Sequence, residues 1–155
     1  MPLRSGDGVR VSAIVSDASV IVKWFVEEKH SEQALRLRDD QVEQRIRIVV
    51  PSLAGYEVLN ALRYSGSFGV EELVEASGIL EGYQFLEVSM SGRGAEEALR
   101  IALDYGVTVY DAAYLSIGKL RGLEVYTADE ELLRKVKKLG VARHVKEYPR
   151  VRSRR

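Results

Sequence analysis

Five short runs of β-branched and apolar residues recur along this chain, at residues 11–16, 46–50, 85–88, 123–126 and 141–145. Runs of this length, bounded by turn-forming residues, read as strands buried on both faces rather than as helices. The stretches between them read as helix, at 18–28, 31–44, 53–64, 70–82, 95–105, 110–120 and 130–139. Strands that alternate with helices need crossover connections, and these build a mostly parallel sheet covered on both faces. The expected fold class is therefore α/β: a three-layer α/β/α domain around a central, mostly parallel sheet of four to five strands.

Local signals punctuate this pattern. Val20, Ile21, Trp24 and Phe25 supply the apolar stripe of the first helix. Ser31 and Ser52 stand where N-caps belong, as do Thr127 or Asp129 before the last helix. Gly106 stops one helix, and Gly140 stops another as a glycine just beyond a helix end does. Residues 1–8, with Pro2, Gly6 and Gly8, read as a flexible leader, 9–149 as one domain and 150–155 as a basic tail.

Composition narrows the functional classes. Hydrophobic residues make up 46% of the 155 and charged residues 30%, which excludes a disordered chain. With no cysteine there is neither a disulfide framework nor a thiolate metal site, which fits a reducing cytoplasm. The N-terminal apolar stretch is interrupted by Arg10, Asp17 and Lys23, so neither a membrane span nor a signal peptide is expected. Twenty-three basic and 23 acidic residues cancel, but from Arg134 to Arg155 ten Lys or Arg face one acid, Glu147. That end suits a polyanionic partner through counterion release, or is simply a solvated helix face and a disordered tail.

Four acids stand out by position. Asp17 ends the first apolar run, where parallel sheets place their chemistry. Glu57 lies inside a helix, with Leu53, Asn60, Ala61 and Tyr64 on its face, and an acid there is costly to bury without a partner. Asp111 opens a helix after Val109-Tyr110, and Asp129 follows the fourth run in Tyr126-Thr127-Ala128-Asp129. As lone residues, Asp111 and Asp129 are equally helix caps or first-turn acids, and Glu57 an exposed helix acid. If the four converge, two unit charges about 4 Å apart repel by roughly 4 kcal/mol at an effective dielectric near 20, so a cation must neutralise them or some must be protonated. Oxygen donors without histidine or cysteine point to a hard ion, Mg²⁺ or Mn²⁺, which promotes phosphoryl chemistry. His30 and His144 read as surface residues, and Trp24, Phe25, Tyr114 and Tyr126 as core, with Tyr110 core or at the cleft edge.

Four blocks carry a family resemblance: Ser16-Asp17-Ala18-Ser19, Tyr56-Glu57-Val58-Leu59-Asn60-Ala61-Leu62, Val109-Tyr110-Asp111-Ala112-Ala113-Tyr114-Leu115 and Tyr126-Thr127-Ala128-Asp129. In this order and spacing the chain resembles the PIN-domain nucleases, above all the VapC-type toxins. The resemblance implies an α/β/α domain with an acidic pocket at the carboxyl ends of its strands. It implies that Asp17, Glu57, Asp111 and Asp129 carry a divalent metal, Mg²⁺ with Mn²⁺ able to substitute, and an activated water. Ser19 and Thr127 match supporting hydroxyl positions, and Asn60 a polar pocket position. The family's members cleave RNA phosphodiesters, commonly as homodimers, and VapC members are inhibited by a small VapB-like antitoxin. The expected function is thus a metal-dependent endoribonuclease acting in the cytoplasm as one half of a VapBC-type pair.

Two other readings are weighed beside it. A non-catalytic RNA-binding or protein-interaction PIN module would keep the fold without the chemistry. A haloacid-dehalogenase-like phosphatase also puts an Asp after its first strand, but needs a second Asp two residues on, where this chain has Ser19. An acidic pocket repels a phosphate backbone, so positive charge elsewhere must recruit it. Removing residues 150–155 is accordingly expected to weaken RNA binding and flatten its dependence on salt, measured as log Kd against log salt. An unchanged slope assigns the tail no such role.

Overall fold

The computed structural model describes residues 3–4 and 10–149 of the chain. Five strands form a parallel sheet: β2 (Arg10–Ser16), β3 (Ile46–Pro51), β4 (Leu86–Val88), β5 (Val125–Thr127) and β6 (Ala142–His144). Their order is β4-β3-β2-β5-β6. The two-residue strand β1 (Leu3–Arg4) pairs antiparallel with the start of β2, Leu3 opposite Val11. At these two positions the expected loose leader is strand; the other leader residues and the basic tail at 150–155 lie outside the described residues.

Seven α-helices are found among the described residues: α1 (Ala18–Val22), α2 (Ser31–Val42), α3 (Ala54–Tyr64), α4 (Val70–Gly82), α5 (Gly92–Tyr105), α6 (Val109–Arg121) and α7 (Glu130–Lys135). A parallel crossover is right-handed. The steps from β2 to β3 and from β3 to β4 run one way and put α1–α4 on one face. The steps from β4 to β5 and from β5 to β6 run the other way and put α5–α7 on the opposite face. The result is the three-layer α/β/α sandwich expected from the sequence.

That strand order also places the site. The chain leaves β2 toward β3 and β4, then returns to lay β5 on the other side of β2, with Val15 opposite Val125 and Ser16 opposite Tyr126. Connections from β2 and β5 therefore depart in opposite directions, which opens a crevice at their carboxyl ends. Asp17 and Asp129 each lie just past one of these two strands.

Several elements differ from their expected bounds, each for a local reason. The first helix ends at Val22 rather than Glu28, because the chain tightens into i→i−3 hydrogen bonds, Trp24 N–H to Ile21 at 2.9 Å and Phe25 N–H to Val22 at 3.0 Å. This turn carries Trp24 into the core, where its indole N–H donates to the Ala34 carbonyl at 2.7 Å. Ser31 is the first residue of α2 rather than its cap, and its hydroxyl instead accepts from Glu28 N–H at 2.8 Å. Leu53, not Ser52, takes the N-cap position of α3. The last expected helix breaks after Lys135 into a 3₁₀ turn, Lys137–Leu139. His144, read as a surface residue, is buried and meets the His30 ring edge-on at 4.9 Å.

At Gly118 the approach of a helix to the sheet depends on a missing side chain. A Cβ on Gly118 of α6 would lie 2.4 Å from the Val125 methyl and 2.9 Å from the Leu123 carbonyl oxygen. That contact seats α6, which carries Asp111, on β5. Gly118→Ala is expected to destabilise the protein by about 1–3 kcal/mol, because a backbone atom has to give way. Gly78, exposed in α4 with open space around it, is the control. Gly78→Ala should be neutral or stabilise by about 0.5–1 kcal/mol, with both read as denaturation midpoints.

Candidate active site

Asp17 is the deepest of the four acids. It follows β2 directly, its backbone N–H donates to the Tyr126 carbonyl at 3.0 Å, and the residue is buried at 7% exposure. The Ser19 hydroxyl donates to Asp17 Oδ1 at 2.5 Å and accepts from Ala128 N–H at 2.9 Å, tying β2 to the segment after β5. Thr127, fully buried, sits 3.4 Å from the same hydroxyl and accepts from Asp129 N–H at 3.1 Å. Ser19 and Thr127 thus form a hydroxyl bridge beneath the acids. Burial pushes the Asp17 carboxyl up to about 6, against the pull of the Ser19 and Thr127 hydroxyls, and the charge of Asp111 adds to the rise.

Asp129 is exposed and caps α7, its carboxylate accepting from Leu132 N–H at 3.0 Å. Of the two caps weighed from sequence, it is therefore Asp129 that closes this helix, while Thr127 holds the Asp129 backbone. Asp111 is half-buried in the first turn of α6, where Thr108, the N-cap, accepts from the Asp111 N–H at 3.0 Å. Burial raises the Asp111 carboxyl; the Thr108 hydroxyl opposes this, Asp129 adds to the rise and Lys135 lowers it.

Glu57 comes from the other helical layer. The buried stripe of α3 is Ala54, Val58 and Leu62, so the face expected from sequence is displaced: Asn60, Ala61 and Tyr64 are exposed. Glu57 is half-buried beside that stripe, and its Oε1 accepts from the Tyr114 hydroxyl at 2.8 Å. Burial raises its carboxyl and Asp111 adds to this, with the Tyr114 bond acting in the opposite sense. Asn60, one turn further on and exposed, is hydrogen-bonded to none of the four acids.

Electrostatic coupling links Asp17 to Asp111, Asp111 to Glu57, and Asp111 to Asp129. Each of the four acids therefore feels the charge of at least one of the others at the carboxyl end of the sheet, and Asp111 takes part in all three couplings. Tyr114 was legible only as core, and it is buried at 2% exposure, yet its hydroxyl bonds Glu57, and burial, with the charges of Glu57, Asp17 and Asp111 adding to it, raises its phenol far above the usual range. Its spacing of three from Asp111 was the available signal, since i and i+3 share a helix face. Tyr126 is likewise buried, whereas Tyr110 is 62% exposed at the rim beside Asp111.

The donor chemistry fits a hard divalent cation. The acids offer oxygen alone, and among the described residues none of the four ion-pairs with Lys, Arg or His. Their polar partners are hydroxyls and backbone N–H groups, which orient a carboxylate without cancelling its charge. Among the described residues no three acidic or histidine side chains form a ready-made cage. That is compatible with Mg²⁺, which retains several waters and takes one or two carboxylates together with substrate phosphate.

Comparison with known proteins bears on this arrangement. The PIN domain family profile matches residues 14–139. Ribonuclease VapC3 of Pyrobaculum aerophilum is 36% identical over 126 residues, which cover 79% of this chain and 93% of that protein. Exonuclease VapC9 of the same organism is 32% identical over 103 residues, 64% of this chain and 74% of its own length. Among solved structures, a toxin–antitoxin complex from Klebsiella pneumoniae contains a chain that superposes with a TM-score of 0.63 at 16% identity, covering 85% of this chain and 97% of that one. At that identity the likeness is one of fold.

Asp17 offers a test of the site without any substrate. Its carboxyl is raised in the folded protein above its unfolded value near 4, so the folded state holds the proton more tightly. Stability from this group is present at low pH and is lost as pH rises through about 6. Above that, the ionised group costs up to about 3 kcal/mol. Asp17→Asn should therefore raise the melting midpoint of the metal-free protein by roughly 5–10 °C at pH 7.5. The gain should vanish near pH 4, and a variant that melts lower at pH 7.5 would contradict the account.

Proposed function

The chain belongs to the PIN domain family, and from that premise we propose that it is a metal-dependent endoribonuclease, the toxin of a VapBC-type toxin–antitoxin pair. The observation that carries this reading is the electrostatically coupled set of Asp17, Glu57, Asp111 and Asp129, without an ion pair to any of them among the described residues. The names of the two curated relatives, a ribonuclease and an exonuclease, support nuclease chemistry.

Asp17, Asp111 and Asp129 would hold one or two Mg²⁺ or Mn²⁺ ions, directly or through water, with Glu57 beside them. Bound there, such an ion supplies charge neutralisation at the phosphate and a water of lowered pKa. The chain's own residues supply the rest. Ser19 and Thr127 fix the Asp17 carboxylate and the backbone of the segment that carries Asp129. Thr108 fixes the first turn of α6 and so the place of Asp111. Glu57, anchored through one oxygen, keeps the other to orient the attacking water and accept its proton. Hydrolysis then breaks one P–O bond of the RNA backbone, with the water oxygen joining phosphorus.

The exposure of the acids rises from buried Asp17 through half-buried Glu57 and Asp111 to exposed Asp129. A site reached from the surface in this way accepts the interior of a strand as well as an end, which favours internal cleavage. The proposed partners are RNA, a second copy of the chain in a homodimer, and a small VapB-like antitoxin. The proposed place of action is the cytoplasm; no helix among the described residues is long and apolar enough to cross a membrane.

Purified protein should cleave RNA with Mg²⁺ or Mn²⁺ and stop in a chelator. Asp17→Asn and Asp111→Asn should each lose about 10²-fold or more in rate, on the scale of removing a preorganised charge-stabilising group. Full cleavage by either variant would remove the assignment. A circular RNA decides between modes: an endonuclease linearises it, whereas an exonuclease leaves it intact.

A further inference from the structure

We propose that Tyr114 is a positioning residue that holds Glu57 in the site through its phenol hydroxyl; this rests on the nuclease reading for its consequence but not for its geometry. Glu57 and Tyr114 come from opposite layers, α3 and α6, and are joined by the 2.8 Å bond from the phenol to Oε1. Tyr114 is buried, so its ring has little freedom to turn away. Glu57 is only half-buried on a flexible stem, and Asp111 repels its charge. Without an anchor, both facts direct the Glu57 carboxylate outward into solvent. The phenol supplies that anchor.

The identity of the anchor matters. A lysine or arginine would hold Glu57 as firmly, but its charge would compete with a cation for the same acids. A phenol donates one hydrogen bond and adds no charge. It also engages one oxygen, leaving Oε2 as the group presented to the site. Ser19 treats Asp17 in the same manner, donating to Oδ1. Tyr114 thus does for the acid on α3 what Ser19 does for the acid after β2.

The test is a double-mutant cycle of Tyr114→Phe and Glu57→Gln, read in two ways: Mn²⁺ binding by calorimetry and single-turnover RNA cleavage. Tyr114→Phe should weaken Mn²⁺ binding about 3–10-fold and lower the cleavage rate about 10–100-fold, with the KM for RNA unchanged within about 2-fold, on the scale expected for misplacing a reacting group. In the Glu57→Gln background the same substitution should change either quantity less than about 2-fold, because interaction through a shared partner is not additive. Equal losses in both backgrounds, or no loss from Tyr114→Phe, overturn the proposal. Failure of the wild type to cleave any RNA would overturn the nuclease reading, while the Mn²⁺ cycle would still decide the role of Tyr114. Should Tyr114→Phe not fold, the bond is read from its other end by thermal midpoints. Glu57→Ala, which strands the buried phenol, should melt below Glu57→Gln, which keeps an acceptor; equal midpoints overturn the proposal.

Discussion

The site depends on a buried carboxylate stabilised by neutral hydroxyls. Asp17 sits at the end of the central strand with its backbone bonded to Tyr126 and its side chain to Ser19. Burying a charge in this way is unfavourable, and that burial is what pushes its carboxyl up to about 6. An arginine in place of these hydroxyls would remove the penalty and with it the attraction for a cation. The fold accepts local instability at Asp17, and the rest of the domain has to be stable enough to tolerate it.

The sheet makes this tolerable by geometry. Strand order reverses between β2 and β5, so the acids that follow these two strands are neighbours although far apart in sequence. Asp111 enters from the layer of α5–α7 and Glu57 from the layer of α1–α4, so the site is a seam where both helical layers overhang the strand ends. Such a seam is reached from solvent on one side and rests on the core on the other. Exposure therefore grades from Asp17 outward to Asp129, and each acid has a different balance of burial against solvation.

How much of this was legible in the sequence follows from what each residue's role depends on. The places of Asp17, Asp111 and Asp129 were legible because each marks a boundary, the end of a strand or the start of a helix, and boundaries are written in local pattern. Glu57 was legible as an acid in a helix, but its face was misplaced. Leu53, Asn60, Ala61 and Tyr64 share a side by helical spacing, yet α3 turns Ala54, Val58 and Leu62 to the core, since packing rather than periodicity chooses between adjacent apolar stripes. The first helix was read too long because Trp24 and Phe25 continue its period. Only the tertiary partner of the indole, the Ala34 carbonyl, explains why the helix tightens there. Tyr114 was hidden for a related reason: a buried tyrosine has the same sequence pattern whether its hydroxyl is incidental or is bonded to an acid on the opposite layer.

A single divalent cation, bound as proposed, would act on the whole domain. In its absence, Asp111 repels Asp17, Glu57 and Asp129 is coupled to it in turn, and the ends of β2, β5, α3 and α6 carry that mutual repulsion. A ligand that binds the folded state alone stabilises it by RT ln(1 + [L]/Kd), about 2.7 kcal/mol at a hundredfold excess over Kd. A divalent ion at this seam would be bound by groups from both helical layers and from the sheet between them. Its binding energy therefore reaches the packing of all three layers, through hydrogen bonds that include Tyr114 to Glu57 and Ser19 to Ala128. Stability and metal loading would in this way be one property of the fold, because the groups proposed to bind the ion are also the groups whose repulsion the fold must otherwise contain.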